Sequence, residues 1–221
     1  METPVVKLSD EELKTVYEPS EDSYLLIDAL EADLEILRRM KPAICLEIGS
    51  GSGIVITALA MALRRHCSAH FLAIDINPDA CRVTRRTSLL NCVDVDVAHM
   101  NLLDCIRIRC TFDIVLFNPP YVVTGYEEML DDRLLFKTWA GGKSGRQVME
   151  QVFAKIPEIL SDAGLFYLVV IKENDPEYIL SAFEKLNMSG KIVCERKVRG
   201  EHLYVLRFRK TKINEKPTSG M

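Results

Sequence analysis

The sequence predicts a three-layer α/β sandwich: a sheet of about seven strands, mostly parallel with one antiparallel strand, covered by helices on both faces. Two patterns predict it. Apolar runs of strand length alternate with segments of helical periodicity through most of the chain, and such alternation implies right-handed crossovers and a parallel sheet. At the end, Lys191–Val198 and His202–Phe208 read as two strands joined at Arg199-Gly200, a hairpin that adds a reversed strand. A third observation is size: 221 residues, 48% of them hydrophobic, suffice for one domain that buries about 70% of its unfolded surface without disulfide or metal.

The elements follow in order. Leu26, Ile27, Leu30, Leu34 and Leu37 recur at helical spacing, so one helix is expected there, ended by Pro42. Ala43–Ile48 is a short apolar run and reads as the first buried strand. Ile54–Arg65 reads as a helix, Ala69–Asp75 as a strand, and Pro78–Leu90 as a helix with Asn77 as N-cap and Pro78 at its first position. Val93–Ala98 is a third strand and Phe112–Phe117 a fourth. Gly145–Leu160 is expected to be one helix with Val148, Val152, Ile156 and Ile159 on its apolar face. Gly164 turns the chain into a fifth strand, Leu165–Ile171, and Asp175-Pro176 opens a last helix before the hairpin. In open sheets of this kind a ligand sits beyond the carboxyl ends of the strands, at the point where strand order reverses.

Composition narrows the class of function. The net charge of −4 and pI near 5.7 lack the basic field that general nucleic-acid binding needs. From Lys191 onward, however, nine Lys/Arg face three Asp/Glu, so an acidic body carries a basic end. The seven cysteines are scattered without a Cys-x-x-Cys pair, which argues against a zinc site or secreted disulfide framework and for reduced thiols in the cytoplasm or nucleus. The first residues lack the basic and apolar regions of a signal peptide. Ile54–Leu63 is too short for a bilayer, which takes about 20 residues, so no membrane association is expected.

Chemistry is concentrated at predicted strand ends. Glu47-Ile48-Gly49-Ser50-Gly51-Ser52-Gly53 joins the first strand to a helix. Its G-x-G-x-G spacing is not the dinucleotide pattern G-x-G-x-x-G, and it lacks the Lys-Ser/Thr of a phosphate loop. Alternating glycines let backbone approach a ligand closely, whereas Glu47 would repel a pyrophosphate and suits an ammonium or sulfonium centre. Asp75, 24 residues after Gly51, ends the second strand, where a carboxylate can accept ribose hydroxyls. A nucleoside with a positive group and no pyrophosphate satisfies both residues, and S-adenosylmethionine is such a ligand. After the fourth strand stands Asn118-Pro119-Pro120-Tyr121. Its prolines fix the backbone and donate no hydrogen bond, so the Asn118 side chain and the carbonyls of Asn118 and Pro119 form acceptors for an NH2 group. Tyr121 is expected to offer a face for stacking.

EIGSGSG, Asp75 and NPPY together resemble the S-adenosylmethionine-dependent methyltransferases of adenine, glutamine amide and some amines, which have the class I, Rossmann-like fold. Within these, YEPSEDS (Tyr17–Ser23), NPPYVV (Asn118–Val123), WAGGKSGRQVM (Trp139–Met149) and GLFYLVVIKEN (Gly164–Asn174) resemble the eukaryotic and archaeal HemK-type release-factor glutamine methyltransferases. The likeness spans roughly Val16 to Arg209. It implies cofactor contacts from Ser23, Glu47, Gly49, Asp75 and Asn118, with Gly51 in the same turn. Relatives place an Asp-Leu pair against the adenine; here the aligned pair is Asn101-Leu102, with Asp104 three residues on, and either Asn101 or Asp104 could take that role. The implied substrate is the Gly-Gly-Gln glutamine of the class I translation termination factor, bound by Asn118, Pro119, Pro120 and Tyr121. The implied partner is a small zinc-containing activator subunit, for which alternating Val93, Val95 and Val97 on an edge strand offer a docking route.

The expected organisation is an N-terminal helical segment (1–42) capping the cofactor site, a methyltransferase domain (43–209) and a flexible tail (210–221). No general base is required before transfer, so His66, His70, His99 and His202 are read as structural. The stretch from Asn118 to Ser144 exceeds the usual connection of about 4 to 6 residues and is expected to close over substrate, with Trp139 as anchor or contact. Alternative readings are methylation of a lysine, including histone lysine, methylation of DNA adenine, or a binding module that has lost activity.

Overall fold

A computed structural model of the chain describes residues 1–107, 109–124 and 140–211. Seven strands form one sheet: β1 (Ile44–Ile48), β2 (His70–Asp75), β3 (Asp96–His99), β4 (Phe112–Phe117), β5 (Leu160–Ile171), β6 (Met188–Val198) and β7 (Glu201–Lys210). Their order is β3-β2-β1-β4-β5-β7-β6. β1 pairs in parallel with β2 and β4, as do β2 with β3 and β4 with β5. β7 runs antiparallel to both β5 and β6, so the expected single reversed strand is the second arm of the hairpin.

The helices are α1 (Glu21–Ala32), α2 (Leu34–Met40), α3 (Ile54–Leu63), α4 (Pro78–Leu90), α5 (Glu150–Phe153), α6 (Ile156–Ile159) and α7 (Pro176–Lys185). From β1 the chain steps toward β2 and β3, and later from β4 toward β5. Right-handed crossovers taken in opposite directions put their helices on opposite faces. The strands between are buried on both sides: Leu46, Ile48 and every residue from Ile114 to Phe117 are at most 1% exposed. On one face, Phe183 of α7 packs against Phe208 and Phe153 with ring centroids 4.1 and 4.7 Å apart, an aromatic cluster that ties the hairpin to α5 and α7.

Four elements differ from expectation. The first helix breaks at Asp33, where φ is −94° and ψ 5°. Its buried carboxylate accepts from the Tyr167 hydroxyl (2.8 Å) and pairs with Arg207, contacts from distant strands that local periodicity cannot report. The helix expected over Gly145–Leu160 is two short ones, because Pro157 lacks the N–H that would bond the Phe153 carbonyl. β5 starts at Leu160, and its register with β4 shifts before Leu165; Gly164 fits there because a Cβ would lie 2.6 Å from the Leu160 side chain. β3 covers only Asp96–His99, with Val95 fully buried before it.

The N-terminal segment lies along α4. Arg86 pairs with Glu12, Asn91 exchanges two 2.9 Å hydrogen bonds with the Val5 backbone, and Val16 packs with Ala80 and Val83. At the other end β7 reaches Lys210 and the Thr211 N–H donates to Asn187. Lys210, expected in the tail, thus ends β7, and 212–221 lie outside the described residues. Among the described residues no helix is long and apolar enough to cross a membrane.

Candidate active site

Strand order reverses between β1 and β4, and a cavity of ≈ 270 Å³ opens at their carboxyl ends. It is lined by the glycine turn, the ends of β2 and β4, and the start of α1.

The turn after β1 is left-handed at Gly49 (φ 66°), Gly51 (φ 53°) and Gly53 (φ 75°), a conformation that favours glycine. Gly49 and Ser50 donate to the Ile74 carbonyl (2.8 and 3.2 Å), which hangs the turn on β2. A Cβ on Gly51 would meet nothing within 4 Å, so the turn presents open backbone to the cavity. Gly53 serves packing: a Cβ there would stand 2.8 Å from Thr84 of α4.

Glu47 and Asp75 sit below this turn. Glu47 is 2% exposed and, among the described residues, accepts only the Ile56 N–H, at 3.1 Å. Burial pushes its carboxyl up to about 8, with Asp75 adding repulsion against the opposing Ile56 hydrogen bond. Asp75, 8% exposed, accepts from the Gly51 N–H (2.9 Å) on one oxygen and the Asn77 N–H (2.8 Å) on the other. Burial raises its pKa too, against those hydrogen bonds. One acceptor position remains on each oxygen. Asn77 caps α4 as expected, accepting from the Asp79 N–H at 2.9 Å.

The far wall carries Ile76, Met100, Asn101 and Leu102. Leu102 adopts φ 43°, which costs a non-glycine residue roughly 1–2 kcal/mol and brings it to the cavity. Between Asn101 and Asp104 the structure divides the roles. Asn101 lines the cavity and Asp104 does not; Asn101 Nδ2 donates to Asp104 Oδ2 at 2.9 Å, leaving the Asn101 carbonyl oxygen as the acceptor.

Asn118, Pro119 and Pro120 line the opposite end. Asn118 Nδ2 donates to Asp22 Oδ2 at 3.0 Å, while Asn118 Oδ1 is buried without a hydrogen-bond partner among the described residues. Buried acceptors are rarely left unpaired, so this oxygen is suited to a donor from outside the protein. Ser23 lines the same end.

Tyr121 departs from expectation. It does not line the main cavity; it is 8% exposed, its hydroxyl donates to Asp22 Oδ2 (3.1 Å), and its carbonyl accepts from Asn174 Nδ2 (2.8 Å). The rigid Pro119-Pro120 unit turns the ring behind the site, so Tyr121 anchors the turn and offers no stacking face to a ligand in that cavity. Two other site residues had no local signal. Asp22 reaches Asn118 across 96 positions. Asn174, fully buried, joins the Tyr121 and Ser144 carbonyls to the end of β5. None of the four histidines is among the lining residues. The ends of the long connection meet through a Val122–Ala140 bridge; its expected closure over substrate and Trp139 fall in 125–139, outside the described residues.

The sequence profile of the methyltransferase small domain family matches residues 21–138. A Mus musculus relative named Methyltransferase HEMK2 is 42% identical over 90% of this chain and 91% of its own. The chain belongs to the HemK-type methyltransferases. A second relative, the eRF1 methyltransferase catalytic subunit mtq2 of Schizosaccharomyces pombe, is 35% identical over 94% of this chain and 95% of its own. In three dimensions the fold superposes with a TM-score of 0.65 on the E. cuniculi Mtq2-Trm112 complex, described as responsible for methylation of the eRF1 translation termination factor. That match is 30% identical and covers 89% of this chain and 99% of the other.

The cofactor of this methyltransferase is S-adenosylmethionine, and the residues fit it. Gly51 offers open backbone, Asp75 two free acceptor positions for a ribose diol, and Asn101 an oriented acceptor beside apolar Ile76 and Leu102 for adenine. Glu47, in its ionised form, would supply negative charge for the amino-acid and sulfonium end in the same cavity as Asn118.

Proposed function

We propose that this methyltransferase transfers a methyl group to the side-chain amide nitrogen of the Gly-Gly-Gln glutamine in the class I translation termination factor. The observation that carries the reading is Asn118 Oδ1 at the cavity end, buried and without a hydrogen-bond partner among the described residues. An amide nitrogen is a weak nucleophile because its lone pair is delocalised into the carbonyl. Asn118 Oδ1 and the Pro119 carbonyl would accept its two N–H bonds, hold the nitrogen in place, and stabilise positive charge as it develops. When bound, the cofactor would supply an electrophilic methyl, its sulfur keeping the electron pair of the sulfur–methyl bond as the nitrogen–methyl bond forms. The excess proton leaves the nitrogen afterwards, so no base among the lining residues is needed.

The enzyme works with a small activator subunit of the kind paired with Mtq2 in the E. cuniculi complex, zinc-containing by the family resemblance. β3 is a sheet edge among the described strands, with Val97 half-buried in it and Val93 half-buried before it, and is the candidate place for the activator. The test is mass spectrometry of the termination factor after reaction with the partnered enzyme. A gain of one methyl on the Gly-Gly-Gln glutamine is expected; methylation confined to lysine, or no transfer with cofactor bound, overturns the reading.

A further inference from the structure

We propose that Asp22 is a positioning residue for methyl transfer, acting through Asn118: it turns the Asn118 amide so that the carbonyl oxygen, and not the NH2 group, faces the methyl acceptor. This rests on the reading that the acceptor nitrogen presents N–H bonds to Asn118.

The side-chain amide of asparagine is nearly symmetric in shape, and rotating it by a half-turn exchanges an acceptor for a donor. An Asn at the cavity end therefore presents the useful atom only if something fixes its sense. Asp22 is an acceptor on both oxygens and stands in the first turn of α1, 4% exposed. Oδ1 receives the Ser23 N–H (2.7 Å) and the Tyr17 hydroxyl (3.2 Å). Oδ2 receives Asn118 Nδ2 (3.0 Å) and the Tyr121 hydroxyl (3.1 Å). Both oxygens are thus occupied by donors, and the carboxylate cannot turn away. A flipped Asn118 would set its oxygen against Asp22 Oδ2 and bury an NH2 where Oδ1 now stands. Tyr17 and Tyr121 remain donors at neutral pH, since burial and the adjacent Asp22 charge raise both hydroxyls above the ordinary tyrosine value.

Tyr121 accounts for the rest of the arrangement. Asn174 Nδ2 holds the Tyr121 carbonyl, and a Cβ on Gly145 would approach that carbonyl to 2.1 Å. The backbone of the turn is thus fixed by contacts other than Asp22, and the Asp22 carboxylate sets the amide's sense.

The experiment uses the enzyme with its activator subunit, the termination factor as substrate, and Asp22→Ala, Asp22→Asn and Tyr121→Phe. Asp22→Ala should lower kcat about 100-fold, in the range for loss of one positioned hydrogen bond to developing charge, with cofactor affinity by calorimetry within about twofold. Asp22→Asn keeps the shape but loses half the acceptor capacity and should lower kcat about tenfold. Tyr121→Phe leaves the Asp22–Asn118 bond and should cost about threefold or less. Wild-type kcat in both Asp22 variants overturns the proposal, as does a loss confined to cofactor affinity or to KM. If Asp22→Ala does not fold, Asp22→Asn decides alone. A readout independent of turnover is exchange of the Asn118 side-chain NH2 protons in 1H–15N spectra, assigned by their loss in Asn118→Ala. Slow exchange in the wild type that becomes fast in Asp22→Asn supports the positioning; fast exchange in the wild type overturns it. Failure of the wild type to methylate glutamine would refute the substrate reading, and this exchange measurement would still decide the role of Asp22.

Discussion

Replacing Glu47 by Gln should remove most of the pH dependence of cofactor binding. In the ligand-free protein burial lifts the Glu47 carboxyl from its ordinary 4.5 to about 8, so at pH 6 only about one molecule in a hundred carries the anion. A ligand with a positive centre binds the ionised form, and apparent affinity scales with the population of that form. Between pH 6 and pH 9 the wild-type affinity for S-adenosylmethionine should therefore rise by nearly two orders of magnitude, equivalent to about 2.7 kcal/mol at 1.36 kcal/mol per pH unit. The assay is calorimetric titration at half-unit pH steps on wild type and Glu47→Gln. The ligand's own amine titrates equally against both proteins, so the difference between their curves belongs to Glu47. Stability moves the opposite way. The folded pKa lies above the unfolded one, so between pH 4.5 and about 8 the native state holds a proton that the unfolded state has lost. Stability of the ligand-free protein then falls as pH rises through that window, by at most about 5 kcal/mol, and Glu47→Gln flattens the fall. Parallel affinity curves for the two proteins would refute the reasoning.

Three further outcomes follow from individual contacts. Asn118→Ala removes the unpartnered oxygen and should reduce turnover by about 100-fold or more, with cofactor affinity by calorimetry within about twofold; retained turnover would exclude the acceptor-pair mechanism. Gly53→Ala drives a Cβ to 2.8 Å from Thr84 at a φ of 75°, and should lower stability by about 2–4 kcal/mol in denaturant titration. Tyr167→Phe deletes the hydroxyl that donates to Asp33 while the Arg207 pair remains. It should cost about 1–2 kcal/mol of stability and leave kcat unchanged, because that cluster lies outside the cavity.

The fold was legible where local signals and the final partners of a segment agree. Asn77-Pro78 starts α4 because cap and φ constraint act within two residues, and the observed helix Pro78–Leu90 coincides with the expectation. Phe112–Phe117 likewise coincides, being apolar and buried at every position but Asp113. The misses lie where distant residues intervene. Leu34 and Leu37 continue the periodicity of α1, yet the helix breaks because Asp33 is claimed by Tyr167 and Arg207. The three valines near β3 alternate as a strand should, but Val95 turns fully inward and pairing with β2 covers only Asp96–His99.

At the site the same distinction separates residue type from residue sense. Strand-end position and chemistry were enough to single out Glu47, Asp75 and Asn118, the family resemblance added Asn101 with Asp104 as its alternative, and Glu47, Asp75, Asn101 and Asn118 all line one cavity. What one-dimensional reading could not supply is what holds each asparagine with its oxygen inward. Both are settled by a carboxylate that takes the NH2 group: Asp104 for Asn101 at 2.9 Å, and Asp22 for Asn118 at 3.0 Å. The Asp104 contact spans three residues and is locally readable. The Asp22 contact spans 96 and exists only once α1 is laid against the end of β4. The same packing draws the Tyr121 hydroxyl to Asp22 and away from the cavity, so the stacking expected of Tyr121 and the unforeseen role of Asp22 have one cause. A neutral amide at each end of the cavity becomes a directed acceptor because a carboxylate beside it accepts from its NH2 group.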